Sequence, residues 1–327
     1  MRDALPDSAI ITPQTKSVFV VVPSHNHARF VEKCLRSIIK QTLSPTELLV
    51  IDDGSADNSP SIIEQTLKNC PFPSELVVRE NRGLPATLNE ALNRSHGDFF
   101  AYLGSDDLWL PSFLETRSRT LASQPNAVLT YGNAFSIDET DRIIDCTIDW
   151  AAYVDGDARR MLMTTLAPLS PSVVYRRQAV ERYCWNENSA LEDYELYLRL
   201  SGEGDFAFEP QVLSAWRVHG QNASLDISMM NREKINAQLR VGPYLGFNAE
   251  ELRRFQSVAM FRSAQEYMRR SERKQAIKLM MNNIRGVTSS AAAVRMMLGL
   301  VMPQSLLRRR RALREKRATR KYGSVVL

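Results

Sequence analysis

The strongest constraint on the fold is an alternation: short apolar runs end in polar clusters and are separated by segments of helical period. Val18-Phe-Val-Val-Val22 is a continuous apolar run stopped by Pro23, the pattern of a buried strand. Phe30, Val31, Leu35, Ile38 and Ile39 then recur at helical spacing. Glu47-Leu-Leu-Val-Ile51 predicts a second strand, stopped by Asp52-Asp-Gly-Ser55. A helix over 59–68, a strand at Glu75-Leu-Val-Val78, a helix over 85–94 and a strand at Asp98-Phe-Phe-Ala-Tyr-Leu103 follow, the last leading into Ser105-Asp-Asp107. Such alternation predicts βαβ units and an α/β fold, with a mostly parallel sheet covered by helices on both faces. Ligands of doubly wound sheets bind outside the carboxyl ends of the strands. Three polar clusters stand at such ends: Pro23-Ser-His-Asn26, Asp52-Asp-Gly-Ser55 and Ser105-Asp-Asp107. Each alone reads as a turn, a solvated loop or a helix cap, but three at successive strand ends are hard to explain that way. No GxGxxG follows the first strand and no GxxxxGK[ST] occurs, so dinucleotide-binding and P-loop readings fail.

Beyond residue 111 the pattern loosens. Val128-Leu-Thr-Tyr131 and Ser172-Val-Val-Tyr175 predict strands. Residues 191–200 predict a short amphipathic helix, opened by the acidic pair Glu192-Asp193, which suits a helix N-terminus. From Ile227 the composition turns Met-, Arg- and Gln-rich. Asn248 followed by Glu251 predicts a capping box for a long helix reaching Arg270, and 272–284 a second antiparallel helix. These readings divide the chain into an N-terminal extension (1–15), an α/β domain (16–226), a helical hairpin region (227–290) and an amphipathic, polybasic tail (291–327).

Composition narrows the function classes. A hydrophobic content of 44% with 24% charged residues excludes wholesale disorder. The formal charge of +5 is not spread evenly: residues 308–327 carry nine basic side chains and one acidic, leaving 33 basic against 36 acidic in the first 307. Nucleic-acid binding by the main body is therefore not expected. The most apolar stretch, 291–307, is broken by Arg295, Pro303 and Gln304, so no transmembrane helix is expected, and the first 16 residues lack the apolar core of a secretory signal. Cys34, Cys70, Cys146 and Cys184 lie far apart with no CxxC, which fits a reducing cytosol better than a disulfide or zinc framework. An apolar block followed by basic residues 308–311 suits anchoring at an anionic membrane surface; nucleic-acid binding and a disordered tail are the other readings. The expected location is cytoplasmic and peripheral at the inner face of the membrane.

Val20-Val-Val-Pro-Ser-His-Asn26, Leu35-Arg-Ser-Ile-Ile-Lys-Gln41, Val50-Ile-Asp-Asp-Gly-Ser-Ala-Asp57, Asn81-Arg-Gly83, Asn89, Gly97-Asp98, Ser105-Asp-Asp107, Glu192-Asp-Tyr194 and Trp216-Arg-Val-His219 occur in an order and spacing that resemble the family 2 glycosyltransferases. The resemblance spans about 200 residues and implies the GT-A fold, a Rossmann-like mixed sheet flanked by helices, here followed by a helical C-terminal region. It implies inverting transfer of a sugar from a nucleotide-sugar donor. A divalent cation, Mn²⁺ or Mg²⁺, would neutralise the diphosphate leaving group through hard carboxylate ligands.

The resemblance also implies roles for individual residues. Ser105-Asp-Asp107 matches the family's DXD-type motif, with Asp107 the expected metal contact, Asp106 facing the ribose or sugar, and Ser105 standing where the family has an acidic first position. His219 matches a position that completes the metal or diphosphate site. Pro23, Ser24, His25 and Asn26 match the segment lining the base pocket, and Asp53 the carboxylate that hydrogen-bonds the base. Gly83 would let backbone approach the donor and Arg82 would pair with phosphate. Asp193 matches the general base that takes the acceptor's proton, with Glu192 in a structural role at the helix start. The expected function is transfer from a UDP-sugar to a glycan or polyprenyl-linked acceptor in surface polysaccharide synthesis. A nucleotidyltransferase is disfavoured because the first strand lacks a Gly-rich basic loop, and a non-catalytic scaffold because the aspartate series is intact.

Overall fold

The computed structural model describes residues 16–164, 167–220, 222, 226–270 and 272–326. The expected extension 1–15 lies outside the described residues. Strands β1 (Val18–Ser24), β2 (Glu47–Asp53), β3 (Ser74–Arg79) and β4 (Phe99–Tyr102) are linked by helices α1 (Val31–Ile39), α2 (Ser59–Leu67) and α3 (Leu84–Arg94). The four strands pair in parallel in the order β3-β2-β1-β4, with Val21 opposite both Leu49 and Tyr102. The unbroken apolar run of β1 follows from this central place. Phe19 and Val21 pack on one face with Leu88 and Leu92 of α3, whereas Val18, Val20 and Val22 pack on the other with Val31, Leu35 and Ile38 of α1. With β2 and β4 on opposite sides of β1, the chain reverses direction across the sheet there, and a crevice opens at its carboxyl end.

The sheet then changes character. The chain continues through β5 (Leu108–Trp109), α4 (Phe113–Ser123), β6 (Ala127–Ile137), β7 (Ile143–Cys146), α5 (Arg159–Thr164), β8 (Val174–Arg176), α6 (Arg177–Glu181), α7 (Glu192–Leu200) and β9 (Asp205–Arg217). β8 pairs antiparallel with β4 and β6, β7 antiparallel with β6, β5 antiparallel with β9, and β9 parallel with β6. The sheet is thus mixed, not mostly parallel, because past β4 hairpin returns such as β6–β7 replace the crossover helices that parallel neighbours require. The long β9 tolerates Pro210 because its register against β6 shifts between Gly132 and Ala134, and the buried Arg117 guanidinium donates to the carbonyls of Glu209 and Gln211 on either side.

Four further helices, α8 (Ile227–Val241), α9 (Ala249–Arg269), α10 (Arg273–Asn282) and α11 (Ser290–Val301), lead to a fifth, α12 (Gln304–Tyr322). Ala237 and Val241 of α8 and Leu252 and Phe255 of α9 enter the same core as Tyr194 and Leu198 of α7. The capping box forms as the sequence predicts: Asn248 Oδ1 accepts from the amides of Glu250 and Glu251, and Glu251 Oε2 accepts from that of Asn248. Farther on, Phe261, Ala264 and Met268 meet Ala276, Ala292 and Met296 in a separate core. α12 then returns to the sheet and packs along β7. Among the described residues no helix is long and apolar enough to cross a membrane.

Candidate active site

A cavity of about 540 Å³ opens at the carboxyl ends of β1, β2 and β4, and is closed on its far side by the start of α7. Pro23, Ser24, His25, Asn26, Asp53, Ser105, Asp106, Asp107 and Asp193 all line it. Nine predicted site residues from four chain segments therefore face one space.

The loops around it are tied together by short polar side chains. Asn26, in the left-handed region at φ 57°, receives the Ala56 amide on Oδ1 at 2.7 Å, while its own amide donates to Ser55 Oγ at 2.8 Å. Asp52 accepts the Ser55 amide at 2.9 Å and the Ser55 hydroxyl at 2.7 Å, so this aspartate holds the turn. Asp53 accepts from the amides of Arg82 at 2.9 Å and Gly83 at 2.8 Å, and from the Arg79 guanidinium. A carboxylate offers about four acceptor positions, so one remains for a ligand. Gly83, at φ 87°, lets the chain turn into α3. The Arg82 side chain points away to an exposed ion pair with Glu90 at 3.3 Å.

The aspartate pair after β4 is held from beneath. Gly104 keeps the space beside the pair open, since a Cβ there would lie 2.9 Å from Asp106 Oδ1 and 3.3 Å from Asp107 Oδ2 and push those carboxylates aside. The fully buried Arg217 at the end of β9 donates its amide to Asp107 Oδ1 at 2.8 Å and its Nε to the Asp106 carbonyl at 2.7 Å. Its guanidinium also donates to the Asp138 carbonyl, makes an ion pair with Asp141 at 2.7 Å and lies over the Phe30 ring. Burial, then the charge of Asp106, push the Asp107 carboxyl well above the usual range. Burial would raise Asp106 too, but the His219 hydrogen bond and the nearby His27 outweigh it and hold Asp106 below its usual value. The pair therefore favours a single negative charge, carried by Asp106.

His219 sits behind this pair, at the boundary with a second cavity of about 650 Å³. Its Nε2 lies 2.9 Å from Asp106 Oδ2, while His27 Nδ1 lies 2.8 Å from Ser105 Oγ and 3.9 Å from Asp106 Oδ1. Among the described residues, one group of metal-ligating side chains comes together: His27, Asp106 and His219, with ligand atoms all within 4.8 Å of one another. Two imidazoles and a carboxylate at that separation fit a divalent cation with positions left for diphosphate or water. Burial depresses the His27 pKa, more than Asp106 opposes it, so the ring is neutral and able to ligate at neutral pH. His27 escaped the sequence reading, although three of the chain's four histidines flank the predicted site. Arg217 lies inside the Trp216-Arg-Val-His219 motif but carried no role there.

Across the cavity, Asp193 accepts from the Tyr102 hydroxyl and, at 3.4 Å, from Trp185 Nε1. Burial raises its pKa to about 6, against the lowering effect of those two donors. Glu192, the first residue of α7, also lines the cavity, and burial followed by the Asp193 charge pushes it up to about 8. At neutral pH the two carboxyls therefore divide their roles, Asp193 ionised and able to accept a proton, Glu192 protonated and able to donate a hydrogen bond.

The model of Glycosyl transferase family 2 matches residues 19–183, covering β1 through the turn after α6. The chain belongs to that family. The chondroitin synthase of Escherichia coli is 24% identical over 228 residues, covering 67% of this chain and 32% of its own length. EpsH of Bacillus subtilis is 30% identical over 193 residues, covering 58% of this chain and 52% of its own. The chain thus spans between a third and about half of these curated relatives. Among solved structures, S. aureus TarS 1–349 in complex with UDP-GlcNAc superimposes with a TM-score of 0.59 at 16% identity, covering 95% of this chain and 93% of that one. A mannosyltransferase from Pyrobaculum calidifontis, in complex with GDP-Man and Mn²⁺, gives a TM-score of 0.60 at 16% identity, covering 95% and 88%. These likenesses establish the GT-A fold for this family 2 member, with its mixed sheet and helical C-terminal region.

Proposed function

We propose that the protein transfers a sugar from a nucleotide-sugar, a UDP-sugar, to an acceptor hydroxyl with inversion at the anomeric carbon. The observation that carries this reading is the opposition within one cavity of Asp193, poised near neutrality, to Asp53 and Asp106 on the donor side. Asp53, with its remaining acceptor position, takes an N–H of the base between the loops of Pro23–Asn26 and Arg82–Gly83. Asp106 and His219, whose ligating atoms lie together, are residues that would hold Mn²⁺ or Mg²⁺ in place of the expected Asp107, whose Oδ1 takes the Arg217 amide; the cation would supply Lewis-acid neutralisation of the departing diphosphate. The acceptor oxygen forms a bond to the anomeric carbon as the bond from that carbon to the diphosphate oxygen breaks. The nucleoside diphosphate leaves with the electron pair, and Asp193 takes the hydroxyl proton. Tyr102 and Trp185 keep the base aimed into the cavity. UDP-GlcNAc in one structural neighbour and GDP-Man with Mn²⁺ in another support a nucleotide-sugar donor and a cation.

Relatives named for chondroitin synthesis support a place in polysaccharide synthesis, with a glycan or polyprenyl-linked acceptor. Residues 16–226 form the catalytic unit in this reading. The exposed Val294, Met297, Leu298 and Val301 of α11, beside the exposed 308–311 of α12, bring it to an anionic membrane surface. Thermal shift against UDP-, GDP- and dTDP-sugars with Mn²⁺ tests the donor. A ligand at a hundred times its Kd stabilises by about 2.7 kcal/mol. The UDP-sugars should raise Tm and support turnover, and a panel without any shift or turnover would overturn the reading.

A further inference from the structure

Positions 27 and 105 are matched to each other. Where the DXD-type pattern has an acidic first position the chain has Ser105, whose buried hydroxyl lies 2.8 Å from His27 Nδ1. A carboxylate at 105 reaches farther than a hydroxyl, into the space that the imidazole fills, so the small residue at 105 makes room for the ring at 27. The His27 backbone is fixed independently of any ligand. Its amide donates to Ser59 Oγ at 3.0 Å, and its carbonyl accepts from Phe30 and Val31, both at 2.9 Å, where α1 begins. Its ring stands edge-on to that of His219 with centroids 5.6 Å apart, and Asp106 lies within reach of both. The two rings arrive from the ends of β1 and β9, so their meeting is a product of the fold and not of local sequence.

We propose that His27 is a ligand of the cation at this site, standing in for the carboxylate that Ser105 lacks, so that the protein supplies two imidazole nitrogens and one carboxylate oxygen and selects Mn²⁺ or Co²⁺ over Mg²⁺. The inference rests on the reading above only for the presence of a cation. Mg²⁺ takes oxygen ligands and sheds water reluctantly, whereas imidazole suits the later first-row ions, whose affinity for a given nitrogen-containing site rises from Mn²⁺ to Co²⁺. Replacing a carboxylate by an imidazole thus weakens Mg²⁺ and favours the transition ions.

The test is calorimetric titration of the nucleotide-free full chain with MnCl₂, CoCl₂ and MgCl₂, together with the spin-echo modulation of bound Mn²⁺, which counts ligating imidazoles. The wild type should register two imidazoles and bind Co²⁺ and Mn²⁺ more tightly than Mg²⁺. His27→Gln should register one and lose roughly tenfold or more in Co²⁺ affinity, since even indirect partners of metal ligands contribute about 10–100-fold. Mg²⁺ binding by that variant should stay within about twofold. His27→Ala combined with Ser105→Asp should restore a carboxylate and lower the Mn²⁺-to-Mg²⁺ affinity ratio below that of the wild type. Circular dichroism confirms folding, with His27→Asn taking the place of a variant that fails to fold. Two imidazoles in His27→Gln, or equal losses for Co²⁺ and Mg²⁺, would overturn the proposal. A wild type that binds none of the three ions removes the cation from the proposed function and this inference with it, while donor binding measured without metal still tests the rest.

Discussion

Replacing Glu192 with Gln should stabilise the protein, by an amount that grows with pH. Burial and the adjacent Asp193 charge raise the Glu192 pKa from 4.5 to about 8 in the folded protein, whereas the unfolded chain ionises it near its ordinary value. Between those two values the folded state holds a proton that the unfolded state has released, so stability is greatest below the lower value and falls as pH rises toward the upper one. The interval from 4.5 to about 8, at about 1.4 kcal/mol per tenfold change in proton affinity, puts the penalty at about 1 kcal/mol at pH 5, about 3 at pH 7 and about 4–5 at pH 8.5. Water reaching the side chain through the open cavity lowers the folded value, which trims the figure most at pH 8.5 and hardly at pH 5 without changing their order. Gln keeps the shape and can still donate a hydrogen bond, but it does not titrate, so the variant escapes the penalty. Urea unfolding of both proteins at about pH 5, 7 and 8.5 reads the difference directly, because the midpoint moves with stability while the slope reports surface exposed. The variant's advantage should widen by at least about 1 kcal/mol across that range. An advantage that is constant with pH, or that shrinks as pH rises, would refute the placement of Glu192 as a buried, proton-holding carboxyl.

Other consequences are independent of that one. Asp193→Asn should abolish transfer while calorimetry shows nucleotide affinity retained, and normal turnover would remove Asp193 as the base. Because Asp193 is raised to about 6 and must be ionised to accept a proton, the rate should fall as pH drops through that value; a rate unchanged well below it contradicts the assignment. Arg217→Met removes the buried donor to the Asp138 carbonyl and one of the two cations on Asp141, Lys33 remaining, and should cost on the order of 1–3 kcal/mol in chemical unfolding. A loss below about 1 kcal/mol would mean that water replaces the guanidinium there. Changing the exposed Arg308, Arg309 and Arg317 together to Ser should weaken sedimentation with phosphatidylglycerol vesicles, by up to about 1 kcal/mol per residue, and leave Tm unchanged. Equal binding by the wild type to phosphatidylcholine vesicles would argue against an electrostatic role.

The parts of the molecule that could be read from sequence are those whose causes are local. β1 to α3 were legible because a strand buried on both faces leaves an unbroken apolar run, and α1 a one-sided stripe at Val31, Cys34, Leu35 and Ile38. β9 was not, because Glu209-Pro-Gln211 looks like a break, and its carbonyls are satisfied by Arg117 and Asn133, both distant in sequence. The two-residue β5 is too short to leave any pattern. In the candidate site the carboxylates announced themselves at strand ends, while the groups that set their charge did not. Tyr102 is one apolar-looking residue of β4, Arg217 the last residue of β9, and His27 a turn residue until His219 is brought beside it. Such roles arise from juxtaposition, which no spacing within one segment encodes.

The basic end of the chain shows the same distinction from the other side. Its charge was legible, but its shape was not, because nine basic side chains among twenty residues suggest a solvated tail. The acceptors that fix it lie more than a hundred residues upstream. Arg314 reaches Asp145 and Lys321 reaches Asp149, while the Thr319 hydroxyl donates to the Ile143 carbonyl, all on or just after β7. Tyr322 packs on Phe135, and Val325 packs against a cluster of Leu108, Ile137, Ile143 and Ala215. Leu108 directly follows Asp107, and the Val325 amide donates to the carbonyl of Asp141, the residue whose carboxylate pairs with Arg217. The excess acid of the body and the excess base of its end are therefore partly the same interaction. Removing the helix would uncover apolar side chains next to the aspartate pair, so truncation reports on the site as well as on membrane binding. Only substitutions confined to its exposed arginines separate attachment at a surface from support of the cavity.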